Sequence, residues 1–313
     1  MKHAALTAAI LATLLSGTAS AATVYQDETS SLKVGGRAEA RFNISDENKS
    51  DDDNTDSFKD KSRARVNLKG RTEIMDGLGA FGTYEMEINS GKDATVDTRY
   101  LFAGLDTQVG AFSYGQQDSA QVILTDFTDI LATFGGDAAD LIDGNKDKRE
   151  NNFVYSGSFN DLTVTANYIA NEIKDTDTYG ISFVYSLPMG LDLGAGYVDG
   201  KEDGDDSDQY NITAAYTIND FYVAGLYAGG SIGNADLTAY ELAAAYQYNQ
   251  FTFQGVYNYQ EVDANGVKSD EYDYFAIEGI YKFNSDFRAY AGYLFEQIDG
   301  ADDQIQAGVR YDF

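Results

Sequence analysis

The stretch Ala239–Asn249 reads AYELAAAYQYN, and after Gln250 the chain continues as FTFQGVYNYQ over Phe251–Gln260. In both runs tyrosine and phenylalanine recur toward the ends, while small or aliphatic side chains hold the middle. Alternation over about ten residues is typical of a β-strand whose two faces have different surroundings. The pair predicts a hairpin with a short turn at Asn249 and Gln250, and aromatic belts that flank an apolar band indicate lipid contact on one face.

The same pattern recurs along the whole chain. Short breaks, such as Met75–Leu78 and Pro188–Gly190, alternate with longer and more polar connections. An even number of such strands with short turns at one end predicts an all-β fold, a 16-stranded antiparallel transmembrane β-barrel with a turn end and a loop end. A soluble β-sandwich also alternates and is the competing interpretation. The predicted strands are 31–42, 62–74, 79–89, 97–106, 110–117, 149–157, 162–171, 177–187, 191–199, 208–218, 221–230, 237–248, 251–261, 271–283, 286–297 and 303–313.

One long segment interrupts the pattern, the residues 118–148. Connections above about 12–15 residues are uncommon in compact domains and tend to be functional or disordered. This one is too apolar for a solvated tether, so we expect it to fold inward and pack inside the barrel. Its apolar residues are Ile123, Leu124, Phe127, Ile130, Leu131 and Phe134.

The first residues, 1–21, have the pattern of a secretory signal peptide. Lys2 precedes an apolar run over Ala4–Leu15, and Ala19 and Ala21 form an A-x-A cleavage site. The apolar run is too short for an uncleaved anchor that spans a bilayer. We therefore expect an exported chain whose mature barrel covers residues 22–313.

Composition narrows the function. Cysteine is absent and the single histidine, His3, lies in the predicted leader, so thiolate and imidazole chemistry are excluded and neither an enzyme, a metal site nor a cofactor is predicted. The net charge of -29, from 22 basic and 51 acidic residues, excludes nucleic acid as a partner. The acids gather in the connections 45–60, 199–208 and 299–303, which we interpret as solvated loop tips that concentrate cations. Calcium binding, or bridging to lipopolysaccharide through divalent ions, is the alternative.

The last residues form a strand that ends the chain on an aromatic side chain. In DQIQAGVRYDF, Ile305, Val309, Tyr311 and Phe313 share one face. Tyr311 and Phe313 resemble the terminal signal by which a barrel-assembly machinery recognises outer-membrane barrels. In a barrel this strand would pair with the first one and remove both sheet edges.

These features together resemble the general diffusion porins of the Gram-negative outer membrane, of the OmpF/OmpC type and nearest the OmpU-like branch. The most specific matches are FGGD at 134–137, RYLFAGL at 99–105, GAFSYGQQ at 110–117 and the terminal YDF. The resemblance implies a homotrimer in outer-membrane lipid and lipopolysaccharide. It also implies that the third loop, about residues 118–148, lies in the lumen and forms a constriction.

Matching by motif assigns the sides of that constriction. The wall cations implied by the resemblance are Arg37, Arg63, Arg65 and Arg99, followed by Lys148 and Arg149, between which the match is ambiguous. The loop acids are Asp129 and Asp137, to which Asp126 and Asp140 add. Thr133 stands where enterobacterial members carry a glutamate, which puts an equally acidic constriction in doubt. Glu85 and Glu87 face inward by alternation and are candidate partners of the arginines.

The sequence thus predicts a passive outer-membrane channel for small hydrophilic solutes and ions, with cations favoured by an acidic mouth. One alternative is a substrate-specific porin, for example for sugars, which would need a ladder of aromatic side chains along the lumen. Another is a barrel adhesin with acidic surface loops.

Overall fold

The computed structural model describes residues 21–49, 55–90, 95–174, 176–202 and 204–313. The predicted leader lies outside them except for Ala21, and its cleavage stays a prediction. Within these ranges the chain forms eighteen strands, one helix, α1 (Val122–Thr125), and two 3-10 turns, Asp46–Asn48 and Asp143–Asn145. The strands are β1 Ala22–Gln26, β2 Ser30–Ile44, β3 Phe58–Asp60, β4 Arg63–Met75, β5 Leu78–Asn89, β6 Val96–Thr107, β7 Gly110–Gln117, β8 Arg149–Phe159, β9 Leu162–Ile169, β10 Thr178–Leu187, β11 Leu191–Glu202, β12 Asp205–Ile218, β13 Phe221–Ile232, β14 Ala235–Tyr248, β15 Phe251–Ala264, β16 Val267–Lys282, β17 Phe287–Glu296 and β18 Gln304–Asp312.

Sixteen of these strands close a barrel. From β4 to β18 each strand pairs antiparallel with the next one along the chain, and β2 pairs with both β4 and β18. The predicted count of sixteen is therefore confirmed. Several strands run further toward the loop end than predicted; β16, for example, begins at Val267 rather than at residue 271. The apolar alternation stops there, but the backbone ladder continues through polar residues, since it needs no particular side chain.

The barrel is closed at a seam where the two ends of the chain meet on β2. The short β1 pairs with β2 from Val34 toward the turn end, and β18 pairs with β2 from Arg37 toward the loop end. Between them Phe313 accepts a hydrogen bond from the Gly36 amide at 2.9 Å and donates one back at 3.0 Å. A Cβ on Gly36 would lie 2.7 Å from the Phe313 ring, so this approach requires glycine. The recognition of Tyr311 and Phe313 by an assembly machinery stays a prediction.

The two faces of the strands differ as the alternation predicts. Outward side chains such as Leu242, Phe253 and Phe275 expose half or more of their surface, while the inward Ala243 and Ala276 beside them are buried. A wide apolar exterior of this kind is the lipid-facing band of a membrane barrel. Among the described residues no helix is both long and apolar enough to span a bilayer.

The interior holds the connection between β7 and β8, residues 118–148. Strand β7 ends after 8 residues whereas β6 has 12, so the chain leaves the wall before it reaches the rim. Leu124, Phe127 and Ile130 are buried against inward side chains that include Tyr222 and Val256. A second apolar cluster joins Ala138, Ala139, Leu141 and Ile142 to inward residues of β11, β13 and β14. We call residues 118–148 the lumen loop.

Candidate functional site: a charged constriction in the barrel

Polar side chains of the wall hold the backbone of the lumen loop. The Tyr222 hydroxyl donates to the Phe127 carbonyl at 2.7 Å, and the Gln254 amide donates to the Ile130 carbonyl at 2.7 Å. Further along, Gln306 donates to the carbonyl of Thr133 at 3.1 Å. Because the loop has almost no regular secondary structure of its own, these bonds satisfy carbonyl groups that would otherwise be buried unpaired.

Two buried glutamates complete the anchoring. Glu241 accepts hydrogen bonds from the Ala139 amide at 2.9 Å and from the Thr128 hydroxyl. Glu278 accepts one from the Ala132 amide at 3.0 Å. Neither residue was predicted from the sequence, although alternation in AYELAAAYQYN puts Glu241 on the same face as Ala239 and Ala243. A single carboxylate among small inward residues is the sequence feature from which a buried, hydrogen-bonded Glu241 could have been predicted.

On the opposite wall, arginines and glutamates of β2, β4, β5 and β6 form one ion-pair network. Glu87 lies 3.6 Å from the guanidinium groups of both Arg63 and Arg99 and also pairs with Arg65. Glu85 accepts from Arg99 at 2.9 Å. Glu39 accepts from Arg63 at 2.6 Å and lies 3.9 Å from Arg37. The four wall arginines predicted from the sequence therefore do lie together; Glu85 and Glu87 pair with three of them, and Arg37 pairs with Glu39.

A β-bulge explains how Arg99 joins the network. Glu85 faces Tyr100 across the strand pair, but the next residue of β5, Met86, faces Thr98. Arg99 is thus the extra residue, and it lies between an outward Thr98 and an inward Tyr100. Bulges redirect side chains in this manner. As a result Arg99 and Tyr100, which are adjacent in sequence, both face the lumen.

Two further arginines extend the basic wall and were not predicted from the sequence. Arg288 of β17 and Arg310 of β18 are cross-strand neighbours, and both contact the buried carboxylate of Asp312, at 2.8 Å and 2.6 Å. Alternation in the last strand already groups Arg310 and Asp312 on the polar face. The signal was present, but no family motif drew attention to it.

A cavity of about 400 Å³ separates this wall from the lumen loop. Asp126 and Asp129 line its loop side, and each exposes more than a third of its side chain. Within the described chain neither carboxylate accepts a hydrogen bond or forms an ion pair, whereas the wall cations are paired with acids. The charged residues that line the cavity are Arg37, Glu39, Arg63, Arg65, Arg99, Asp118, Asp126, Asp129, Asp147, Arg288 and Arg310.

Comparison with known proteins identifies the barrel. A family model described as Gram-negative porin matches residues 5–312. The chain belongs to the Gram-negative porin family. Porin-like protein L of Photobacterium profundum is 40% identical over 97% of this chain and 98% of its own length. Outer membrane protein U of Vibrio parahaemolyticus is 33% identical over the full length of both chains. The solved structure of OmpF from Salmonella typhi superposes with a TM-score of 0.82 at 20% identity, covering 93% of this chain and 100% of that one.

These relatives place the porin in the outer membrane. The resemblance to porins of the OmpF and OmpU kind, predicted from the motifs, is confirmed. The agreement with OmpF is in fold, since the two sequences share 20% of their residues.

In this porin the two lumen-loop acids without a partner in the described chain, Asp126 and Asp129, have raised pKa values. Enclosure by protein raises the pKa of Asp126 to about 7, and the charges of Asp118 and Asp147 add to the effect. The pKa of Asp129 is also raised well above its ordinary value, chiefly by the same enclosure. Both shifts favour the uncharged form, so the negative charge on the lumen loop decreases as the pH is lowered.

The other predicted cations and acids lie elsewhere in this porin. Asp137 accepts from the Tyr274 hydroxyl at 2.6 Å, and Asp140 accepts from Asn145 at 3.1 Å. Lys148 pairs with Asp147, and the nearest acid to Arg149 is Asp143 at 3.9 Å. None of these four residues (Asp137, Asp140, Lys148, Arg149) lines the cavity, so their part in the constriction stays a prediction. The left-handed backbone of Lys148 and Asn151 interrupts alternation there, which explains the ambiguous match.

Thr133 packs against the wall rather than lining the cavity. Its hydroxyl lies over Gly292, where an added Cβ would be only 2.4 Å away. A glutamate at this position would not fit in the same orientation. At position 133 the lumen loop therefore makes a close contact with the barrel wall through threonine and carries no acid.

Proposed function

We propose that this outer-membrane porin is a passive, water-filled pore for small hydrophilic solutes and ions that favours cations. The observation that carries the proposal is the cavity between six wall arginines and the unpaired carboxylates of Asp126 and Asp129. Opposite charges across a narrow gap orient water and dipolar solutes, so hydrophilic solutes pass while apolar ones must displace ordered water.

The preference for cations is inferred from the way charges are paired. Glu39, Glu85, Glu87 and Asp312 neutralise much of the wall, because each lies within salt-bridge distance of at least one arginine. Asp126 and Asp129 have no such partner in the described chain. Beyond the constriction, a net charge of -29 and exposed acids in the long connections raise the local cation concentration at the mouth.

The test is the reversal potential of single channels in a salt gradient. The wild-type pore should prefer cations, and Asp126→Asn with Asp129→Asn should lower the cation-to-anion permeability ratio. A unit charge about 6 Å from an ion in water contributes about 0.7 kcal/mol, favourable for a cation and unfavourable for an anion, so each substitution should change the ratio by up to about tenfold. Asp76→Asn, at the exposed turn after β4, is the control and should leave the ratio unchanged. An anion-selective wild type, or an unaltered ratio in the double variant, would overturn the cation preference.

We also propose that three copies associate through the outer face of the seam. There the outward residues Ala38, Ala40 and Ala64 are small, and with Val309 they line an apolar depression of about 480 Å³. Small side chains let two membrane-embedded surfaces approach closely. Native mass measurement in detergent should give three times the mass of the single mature chain, and Ala64→Phe should shift the measured mass toward that of one chain. A single-chain mass for the wild type would exclude the trimer.

A further inference from the structure

A second cavity lies next to the cavity between the basic wall and the lumen loop, which we call the constriction. It lies on the side nearer the turn end of the barrel. Its volume is about 440 Å³, and it shares Tyr100, Asp118, Val122 and Asp126 with the constriction. It continues toward the turn end as far as Lys69, which is four residues beyond Arg65 on β4, or about 13 Å along an extended strand. We call this space the vestibule.

The rings of Tyr100 and Phe102 line one side of the vestibule, and Phe81 packs beside Phe102. Alternation on β5 and β6 turns Phe81 and Phe102 inward, and their ring centroids are 6.3 Å apart at 77°. Phe102 and Tyr100 repeat this arrangement at 6.5 Å and 79°. The row ends where the Tyr100 hydroxyl donates to Asp118 at 3.0 Å. Edge-to-face stacking holds the rings in place, and Phe102 stays partly exposed to the lumen.

Apolar side chains line the other side. Helix α1 buries Leu124 against the barrel wall, and it leaves Val122 and Ile123 partly exposed toward the vestibule. Val154 of β8 adds to this surface. A general water-filled pore has no need for such a surface. Its burial by a ligand would be favourable in proportion to the area covered.

Three carboxylates, those of Glu85, Asp118 and Asp126, and one cation, Lys69 at the turn end, line the vestibule, so negative charge is in excess there. Glu85 is paired with Arg99 at 2.9 Å, and Asp118 accepts from Tyr100 and from the Lys148 amide. Asp126 is the one of these three carboxylates without a partner in the described chain, and it projects from the end of helix α1. An unpaired acid next to aromatic and aliphatic surface is the combination that binds an organic cation, since both parts of such a molecule find a complement.

We propose that the vestibule binds organic ammonium ions that carry an aromatic or compact apolar group. The ammonium group lies at Asp126, and the apolar group contacts Phe102, Ile123 and Val154. This site rests on the proposed function, because the ligand enters through the open pore. A carboxylate with the same ring is repelled by the acids. A neutral sugar can contact the aromatic side chains of the vestibule but cannot form an ion pair with Asp126.

The probe is 2-phenylethylammonium, and the measurement is the interruption of single-channel current in KCl at pH 8. Ethylammonium, 3-phenylpropionate and glucose are the comparison solutes. We expect 2-phenylethylammonium to block with an apparent dissociation constant at least about tenfold below that of ethylammonium, because burial of the phenyl ring is worth more than a factor of ten. The other two solutes should not block in the same concentration range. Stronger block by glucose would instead favour a sugar-specific channel and would overturn the site.

Variants separate the two parts of the site from the pore itself. Asp126→Asn should weaken the block by 2-phenylethylammonium at least about threefold through the lost charge, and Ile123→Ser should weaken it through lost apolar contact. Asp76→Asn should have no effect. The unblocked conductance of each variant in KCl reports whether the pore is folded and open. Equal block in every variant whose pore still conducts would refute the vestibule site alone, whereas absent conductance in the wild type would refute the proposed function.

Discussion

The contact between Gly292 and Thr133 gives a sharp test of how closely the lumen loop is packed. In Gly292→Ala the new Cβ would lie 2.4 Å from the Thr133 hydroxyl oxygen and 3.1 Å from its Cβ. Ordinary contact begins near 3.5 Å, so the loop must retreat by about 1 Å, and it can move only toward the lumen. A rotation of the Thr133 side chain relieves the first contact but not the second. Overpacking of this kind costs about 1–3 kcal/mol.

Gly279 is the matched control for this substitution. It lies on the neighbouring strand β16 and faces outward, and an added Cβ would meet nothing within 4 Å. Alanine there should stabilise the strand by about 0.5–1 kcal/mol, since glycine in a strand loses more entropy on folding. We therefore expect Gly292→Ala to unfold at lower urea concentration than Gly279→Ala and to show a smaller single-channel conductance.

The double variant Gly292→Ala with Thr133→Ala completes the test. Removing the hydroxyl leaves two contacts at 3.1 Å, with the Thr133 Cβ and with the Ile277 carbonyl oxygen, so stability and conductance should return part of the way to the wild-type values. Equal urea midpoints and equal conductances for Gly292→Ala and Gly279→Ala would refute the close packing of the loop. A double variant no better than the single one would show that the cause lies elsewhere than at Thr133.

Two other predictions concern the lumen loop. Glu241→Ala should raise open-channel noise, because the Ala139 amide loses its acceptor at a cost of about 1–3 kcal/mol, and the exposed control Glu271→Ala should not raise it. Lowering the pH from 8 to 5 should reduce the cation-to-anion permeability ratio, because an acid loses its charge as the pH falls through its pKa, which is about 7 for Asp126 in the cavity lining. Reversal potentials across this range check the prediction, and Asp126→Asn should flatten the change. A ratio independent of pH would contradict it.

The barrel was predictable because a strand exposed to lipid on one face and to a lumen on the other has to alternate. Sixteen alternating runs specify sixteen strands, and their short breaks specify the turn end. The short strands β1 and β3 were not predicted. With five and three residues, they are too brief to show a period, and they exist because β2 offers them a free edge.

The loop side of the site was less predictable, because a segment without secondary structure has no period from which to read direction. Asp129 and Asp137 are eight residues apart and both were assigned to the constriction, but Asp129 lines the cavity while Asp137 binds Tyr274 on the wall. Which acid faces the water depends on tertiary contacts with strands more than a hundred residues away in the chain.

The wall side shows a different limit, since there alternation is reliable except where the backbone departs from it. Parity alone would turn Arg99 away from Tyr100, and the bulge that brings both inward is not visible in the sequence pattern. Conversely, alternation places Arg310 inward with Asp312, but Arg310 lies outside the family motifs and was therefore not predicted as a wall cation. The charge of a porin wall is therefore better assigned from the inward face of every strand, corrected at bulges, than from the positions that a family motif singles out. By that reasoning the basic wall of this porin spans β2, β4, β6, β17 and β18, on both sides of the seam that closes the barrel.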